Sequence, residues 1–100
     1  MYDLDKGRIV TAVLSSMGGK LHPAIVLSTK EEIAATGMAF VVGISGNDTI
    51  ALEADRIEVP HRLGMKKQCW VQCDRHELVP VDQLTPKPFK AWGKFLDDVQ

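Results

Sequence analysis

The sequence predicts a mainly β fold: a small barrel with one short internal helix and an amphipathic helix at the C-terminus. The chain has 100 residues, which suits a single hydrophobic core, so we expect one domain over residues 1–100. Apolar residues make up 45% of the chain and charged residues 25%, as in ordinary soluble domains. Short runs rich in valine, isoleucine and threonine alternate with turn residues, a pattern typical of a small barrel.

Five or six short strands are expected. Gly18 and Gly19 follow the first run as a turn, and Pro60 stops the fifth run. Because proline has no amide donor, Pro23 should lie at the start or edge of its strand. A turn is expected over residues 45–48. The strand-forming runs are residues 7–14, 23–27, 38–44, 49–52, 57–59 and 69–78.

Two overlapping capping boxes predict the internal helix. Ser28 pairs with Glu31 and Thr29 with Glu32, ahead of a short apolar run that ends at Gly37. Near the C-terminus, two prolines indicate a helix start, and large apolar residues then recur at helical spacing. The prolines are Pro86 and Pro88, and the apolar face, which we interpret as core packing with some dimer contact, comprises Phe89, Trp92, Phe95, Leu96 and Val99.

Alternation along residues 69–78 sorts these side chains onto two faces. One set, Cys69, Val71 and Cys73, is apolar; the other, mostly polar, comprises Trp70, Gln72, Asp74 and His76. Four residues of strand separate the two cysteines by roughly 13 Å, beyond the reach of a disulfide, so both should be reduced. Their spacing does not suit zinc even with His61 and His76 nearby, and core cysteines are the favoured interpretation. The same alternation argues against a Cys73–His76 nucleophile.

Charge and hydropathy exclude several classes of function. Twelve basic and thirteen acidic side chains give a net charge of −1, so the chain lacks the overall cationic field of indiscriminate nucleic-acid binders. The longest apolar stretch, residues 38–44, is far shorter than the roughly 20 residues of a membrane span. Asp3 and Asp5 stand where a signal peptide would carry positive charge, so we expect a cytoplasmic protein.

Residues 61–68 form the one local basic stretch. Arg62, Lys66 and Lys67 occur there without an acidic residue, and Trp70 follows closely. Cations beside an aromatic ring suit single-stranded RNA, through phosphate contacts and base stacking. A solvated loop with the tryptophan packed beneath it explains the same residues, and this second interpretation stays open.

Four blocks of the sequence resemble the PemK/MazF-type toxins of bacterial toxin–antitoxin pairs. The resemblance covers most of the chain and includes the C-terminal amphipathic segment. Each block is weak alone, and their order and spacing together are moderately specific. The blocks are KGRIV at 6–10, HPAIVLS at 22–28, VVGISG at 41–46 and LGMKKQCWVQCD at 63–74.

This resemblance implies an SH3-like barrel, a homodimer, cleavage of single-stranded RNA without a metal or other cofactor, and neutralisation by an acidic antitoxin. Such cleavage uses the ribose 2′-hydroxyl as nucleophile and leaves a cyclic phosphate, so it needs a base, an acid and cationic groups. The resemblance assigns these catalytic roles to His22, Ser45 and Asp74. Candidate RNA-binding residues are Lys20, Arg62, Lys66, Lys67, Gln72 and His76.

Two departures from the family pattern bear on activity. His22 stands where the family has an arginine that grips phosphate, and Gln72 stands where some members have another. The loop over residues 15–21 is also shorter than usual. The alternative function is therefore a catalytically inactive barrel that binds a peptide, an antitoxin-like partner or nucleic acid, and a third is a subunit that serves only assembly. For His22 itself, the alternative is a strand-edge histidine bonded to backbone. For Asp74, it is a surface ion pair.

Overall fold

The computed structural model describes residues 4–15, 18–45, 56–58, 69–91, 96 and 99, with the backbone alone for residues 45, 56–58 and 72–75. Within these residues the chain forms six strands, one α-helix and one 3-10 turn. They are β1 (Arg8–Leu14), β2 (Lys20–Val26), α1 (Lys30–Thr36), β3 (Met38–Ser45), β4 (Arg56–Glu58), β5 (Trp70–Pro80), the 3-10 turn Val81–Gln83 and β6 (Thr85–Lys90).

The six strands form one curled sheet in the order β4-β5-β3-β2-β1-β6, and every neighbouring pair is antiparallel. β1 and β2 are a hairpin whose turn contains Gly18 and Gly19, both at positive φ, as their sequence predicts. The sheet curls into a half-barrel, which confirms the predicted mainly β class.

The two faces of the sheet carry separate apolar clusters, because alternate residues of a strand point to opposite faces. We call the faces after their clusters. The Ile9 face carries Ile9, Ile25, Val42, Ile44, Cys69, Val71, Ala91 and Val99. The Val10 face carries Val10, Ala12, Leu14, Ala24, Val26, Ile33, Ala39, Val41, Val79 and Leu84.

Helix α1 begins at one of the two predicted capping boxes. The hydroxyl of Thr29 accepts the amide of Glu32 at 3.2 Å, and the Glu32 carboxylate accepts the amide of Thr29 at 3.0 Å. Gly37 ends the helix in the left-handed conformation, at φ 70°. The predicted Ser28–Glu31 box is wrong: Ser28 is buried, and its hydroxyl accepts the amide of Phe40 at 2.8 Å. The serine therefore links the start of the helix to β3.

Two predictions about prolines are wrong. Pro23 lies in the middle of β2, opposite Thr11 of β1, and not at the strand's start or edge. Pro86 and Pro88 lie in β6 and do not start a helix. Because β6 is an outer strand of the sheet, it tolerates residues that lack an amide donor. Phe89 also belongs to this strand and packs against the Ile9 cluster.

Several predicted features fall wholly or partly outside the described residues. These are the turn at 46–48, the strand at 49–52, the end of the fifth run at Val59 and Pro60, and most of the C-terminal helix, including Trp92 and Phe95. Leu96 and Val99, which are described, pack into the Ile9 cluster as their positions in the apolar pattern predict. The helix itself remains a prediction.

Asp5 connects three parts of the chain. Its carboxylate accepts the amides of Lys6 at 2.7 Å and Lys30 at 3.2 Å, and it forms an ion pair with Lys90 at 3.3 Å. The hydrogen bond from the Lys6 amide, followed by the hydrogen bond and charge of Lys90, lowers the pKa of Asp5 below its ordinary value of 3.8. The carboxylate thereby holds the turn before β1, the start of α1 and the end of β6 together.

We expect Asp5→Asn to lower the free energy of unfolding by roughly 0.5–1 kcal/mol at pH 7, because the side chain is partly exposed. A lowered folded-state pKa stabilises the protein above pH 3.8 and stops doing so as the pH falls through the folded value. The deficit of the variant should therefore shrink between pH 7 and pH 2.5 in urea titrations. The exposed residue Asp82 supplies the control, Asp82→Asn. A deficit that is constant with pH would contradict this role.

Gly7 lies where the chain enters β1, at φ 94°. Its amide donates to the carbonyl of Val26 at 2.7 Å, and its carbonyl accepts the amide of Ala91 at 2.7 Å. A Cβ atom at this position would overlap the carbonyl oxygen of Ala91. Glycine is required here for two reasons, the positive φ and the close approach of the chain after β6.

Gly7→Ala should therefore destabilise the protein more than Gly19→Ala, by about 2 kcal/mol or more. Both glycines have positive φ, but a Cβ on Gly19 would meet no atom within 4 Å. The comparison isolates the steric overlap, since the conformational cost is common to both variants. Thermal and urea unfolding of the two variants measure the difference, and equal losses would show that the overlap is relieved without cost.

Candidate functional site

The predicted catalytic residues lie on three neighbouring strands, β2, β3 and β5. Ala24 and Gly43 are the last pair of β2 and β3, and His22 and Ser45 each lie two positions beyond that pair on their own strands. Ser45 ends β3 and pairs on its other side with Trp70 of β5. Asp74 lies four residues further along β5. The backbone thus brings the three positions to one end of the sheet.

Pro23 ends the hydrogen-bonded ladder between β2 and β3 beside His22. The amide of Leu27 donates to the carbonyl of Phe40 at 2.8 Å, so the backbone N–H of Leu27 points towards β3. In an antiparallel pair every second residue does the same, counted from Leu27 back along β2. Pro23 is one of these residues, and it has no amide to donate to Ile44. The ladder accordingly runs from Val26–Val41 to Ala24–Gly43 and ends there. The proline therefore ends the pairing of β2 with β3 next to His22.

A bulge interrupts the other side of β3 at the same level. Val42 pairs with His76 and Ile44 with Val71, so residues 72–75 of β5 oppose the single residue Gly43. Asp74 lies within this bulge. The regular pairing of β3 thus changes at Gly43 towards both neighbouring strands: the β2 ladder ends there, and the β5 ladder is bulged there.

The bulge corrects the predicted alternation along residues 69–78. Because four residues of β5 oppose one residue of β3, side chains after the bulge point to the opposite face from the one that uninterrupted alternation gives. His76 therefore shares the Ile9 face with Val71. It does not share a face with Trp70, as uninterrupted alternation predicted. The argument that Cys73 and His76 lie on opposite faces no longer holds either, because Cys73 is inside the bulge and its side chain lies outside the described part of the structure.

His22 and His76 therefore lie on opposite faces of the sheet. His22 is half-buried on the Val10 face, opposite the buried residue Ala12. His76 is exposed and stacks on Phe40, with ring centroids 5.3 Å apart and the planes within 1° of parallel. Leu78 pairs with Phe40 and is also exposed. The structure thus places His76 on the opposite face of the sheet from His22.

The other candidate RNA-binding residues differ in how far the structure describes them. Lys20 is exposed at the first residue of β2, on the same face as His22 because the two lie two positions apart on the strand. Gln72 is in the β5 bulge and pairs with Arg56 of β4. Arg62, Lys66 and Lys67 lie outside the described residues.

The donor atoms for a metal ion are not assembled in the described residues, where no three histidine, cysteine, aspartate or glutamate side chains form a group. Cys69 is buried in the Ile9 cluster, as the core interpretation predicts. Among the described helices, none is long and apolar enough to cross a bilayer.

Glu77 is a residue that the sequence argument missed. It is half-buried in β5 opposite Val41, and its carboxylate accepts the amide of Ser15 at 3.3 Å. Ser15 follows β1 directly, so this hydrogen bond joins residues 62 positions apart in sequence. Uninterrupted alternation would place Glu77 among apolar residues of the core, and only the bulge explains how its carboxylate reaches the β1–β2 connection.

No protein-family model and no curated protein sequence matches the chain. Solved structures do match. MazF from Deinococcus radiodurans superposes with a TM-score of 0.81 at 20% identity, over 99% of this chain and 91% of that chain. Two structures of the MazE–MazF complex from the same organism give TM-scores of 0.77 and 0.74, at 21% and 20% identity. These alignments cover 98% and 99% of this chain and 90% and 89% of those chains.

Such similarity over nearly the whole length of both chains concerns the path of the backbone, since four residues in five differ. The curled antiparallel sheet, its strand order and the helix between β2 and β3 belong to this shared architecture. The chain has the fold of the MazF-type toxins.

Proposed function

We propose that this chain is a toxin-like, metal-independent endoribonuclease that cleaves single-stranded RNA. The observation that supports the proposal is the register of β2, β3 and β5, which brings the positions of His22, Ser45 and Asp74 to one end of the sheet. A histidine, a hydroxyl and a carboxylate on three adjacent strands are a sufficient set of groups for attack by a neighbouring hydroxyl.

In the proposed reaction, the ribose 2′-hydroxyl loses its proton and attacks the adjacent phosphorus. The bond from phosphorus to the 5′-oxygen breaks, and that oxygen receives a proton. The products are a 2′,3′-cyclic phosphate and a free 5′-hydroxyl. The imidazole of His22 can donate the second proton, the carboxylate of Asp74 can accept the first, and the hydroxyl of Ser45 can donate a hydrogen bond to a phosphate oxygen.

Lys20 compensates for the arginine that His22 replaces. It lies two residues before His22, on the same face of β2. An ammonium group is a point charge on a flexible stem, and it binds phosphate without the paired donors of a guanidinium group. We therefore expect slower cleavage than an arginine in place of His22 would give. The proposal includes an acidic antitoxin as partner, for which the MazE–MazF complexes of the structural relatives are the support. It also includes a homodimer, which rests on the resemblance of the sequence to the family.

The proposed chemistry predicts that purified protein, in the presence of a chelator, cuts an unstructured oligoribonucleotide and leaves 2′,3′-cyclic phosphate ends. His22→Ala and Asp74→Ala should each lower kcat by about 100-fold or more, as expected for loss of a proton-transfer group. The same sequence with 2′-deoxyribose should stay intact, because it lacks the nucleophile. Mass spectrometry of the products identifies the ends.

Asp82→Ala serves as the matched control, since it removes an exposed carboxylate from the 3-10 turn after β5. If His22→Ala and Asp74→Ala both cleave RNA at the rate of wild type, these catalytic roles are ruled out. RNA left intact by wild type under all conditions would rule out the enzyme and leave the alternative below.

A catalytically inactive barrel is the second candidate, and the end of the ladder at Pro23 favours it. Pro23 cannot donate to the carbonyl of Ile44. The edge of β3 that faces β2 is therefore not regularly paired beyond Gly43. A strand edge of this kind can bind an extended chain by main-chain hydrogen bonds. In this function, His22 would serve only as a polar contact.

The proposed nuclease predicts that Lys20 contributes to RNA affinity by its charge, as does an inactive barrel that binds nucleic acid. We expect Lys20→Ala to weaken binding of a labelled, uncleavable 2′-deoxy oligonucleotide and to reduce the slope of log affinity against log salt by about 0.7. Fluorescence anisotropy between 50 and 300 mM salt measures this slope. The exposed lysine of α1 provides the control, Lys30→Ala, which should leave the slope unchanged. Equal slopes for wild type and Lys20→Ala would place the bound strand elsewhere.

A further inference from the structure

We infer that Glu77 is a positioning residue that fixes the described residues of the β1–β2 connection, Ser15, Gly18 and Gly19, at the Val10 face. Its carboxylate accepts the amide of Ser15 at 3.3 Å, at the residue where β1 ends and this connection begins. Glu77 is half-buried, whereas Ser15 is exposed. The contact therefore runs from the interior of the curled sheet outwards to the connection.

The strand order shows how unusual this contact is. β5 and β1 are separated by β3 and β2, which is three strand spacings, or about 14 Å across a flat sheet. A glutamate side chain cannot span that distance. The contact requires the sheet to curl towards the face on which Glu77 lies. That face is the Val10 face, because Glu77 pairs with Val41 of the Val10 cluster.

Fixing Ser15 also fixes the turn that follows it. The amide of Gly18 donates to the carbonyl of Ser15 at 3.3 Å, and the amide of Gly19 donates to the carbonyl of Leu14 at 2.9 Å. Leu14 pairs with Lys20 at the start of β2. A carboxylate bound to the Ser15 amide therefore restrains the segment that sets the direction of Lys20.

His22 is coupled to the same restraint. It pairs with Ala12 two residues further along the hairpin and lies on the same face as Lys20 and Glu77. The two β2 side chains that we propose for RNA binding and proton transfer thus lie on the Val10 face of a hairpin whose turn end is held by Glu77. This consequence for catalysis rests on the proposed function, whereas the restraint on the connection does not.

Two substitutions separate the hydrogen bond from the charge. Glu77→Gln keeps a carbonyl oxygen that can accept the Ser15 amide, and Glu77→Ala removes the acceptor altogether. Amide hydrogen exchange of Gly18 and Gly19 reports directly on the connection. We expect exchange in Glu77→Ala to become about 10-fold faster at these glycines, a change of roughly 1.4 kcal/mol, and exchange in Glu77→Gln to remain within about threefold of wild type.

Cleavage of the oligoribonucleotide gives the second measurement. If Glu77 positions Lys20 and His22, Glu77→Ala should raise KM several-fold and Glu77→Gln should restore it. If Glu77 only stabilises the fold, Glu77→Ala should lower the unfolding temperature without changing KM. Asp82→Ala, which removes one exposed carboxylate elsewhere, should behave as wild type in both measurements.

Unchanged exchange at Gly18 and Gly19 in Glu77→Ala overturns the inference, whatever the protein does to RNA. Faster exchange with a protein that cleaves no RNA supports the restraint and rejects the proposed nuclease. Faster exchange with unchanged KM rejects the link to the candidate site. A lower KM in both variants would show that the negative charge repels RNA, and it would overturn the positioning role in favour of a purely electrostatic one.

Discussion

The change of strand pairing at Gly43 governs the backbone around the candidate site. A strand in the middle of a sheet normally has both edges bonded, and β3 is paired with both β2 and β5 just before Gly43. On the β2 side the ladder stops after Gly43, where Pro23 has no amide to donate. On the β5 side residues 72–75 oppose Gly43 alone, and pairing resumes at Ile44. The candidate positions therefore lie where the backbone departs from regular pairing.

The remainder of the fold supplies the rigidity that such a departure from regular pairing needs. Two apolar clusters hold the sheet from opposite faces, and both include residues of β1, β2 and β3. Capping by Thr29 and Glu32 fixes α1, while Ser28 and Asp5 connect its start to the neighbouring strands. Hydrogen bonds to the Thr29 backbone and hydroxyl lower the pKa of Glu32, so this cap is strongest when the carboxylate is ionised. The framework is therefore secured away from the candidate site.

The sequence predicted the strands that have regular apolar patterns. It did not predict the places where the two-residue alternation of a strand, or its backbone pairing, is interrupted. Residues 7–14 and 38–44 nearly match β1 and β3, because valine, isoleucine and glycine placement there reflects local geometry. Pro23, Pro86 and Pro88 were misjudged, since a proline's place depends on which neighbouring strand needs a donor. The face of His76 and the contact of Glu77 depend on a bulge, and nothing in the residue types of 72–75 reveals four residues opposing one. That His22, Ser45 and Asp74 act together was implied by a resemblance to a family and stays a prediction, and the register gives only their backbone positions on three neighbouring strands.

The prolines of β6 also determine how this molecule can meet its neighbours. Two of the six residues in the outermost strand have no N–H group, so an incoming chain would find an incomplete row of donors along that border. The prolines thereby disfavour aggregation by the addition of further strands to the sheet at β6. Side-chain contacts, in contrast to backbone pairing, depend on the shape and chemistry of the partner, and the stacked rings of Phe40 and His76 offer such a surface.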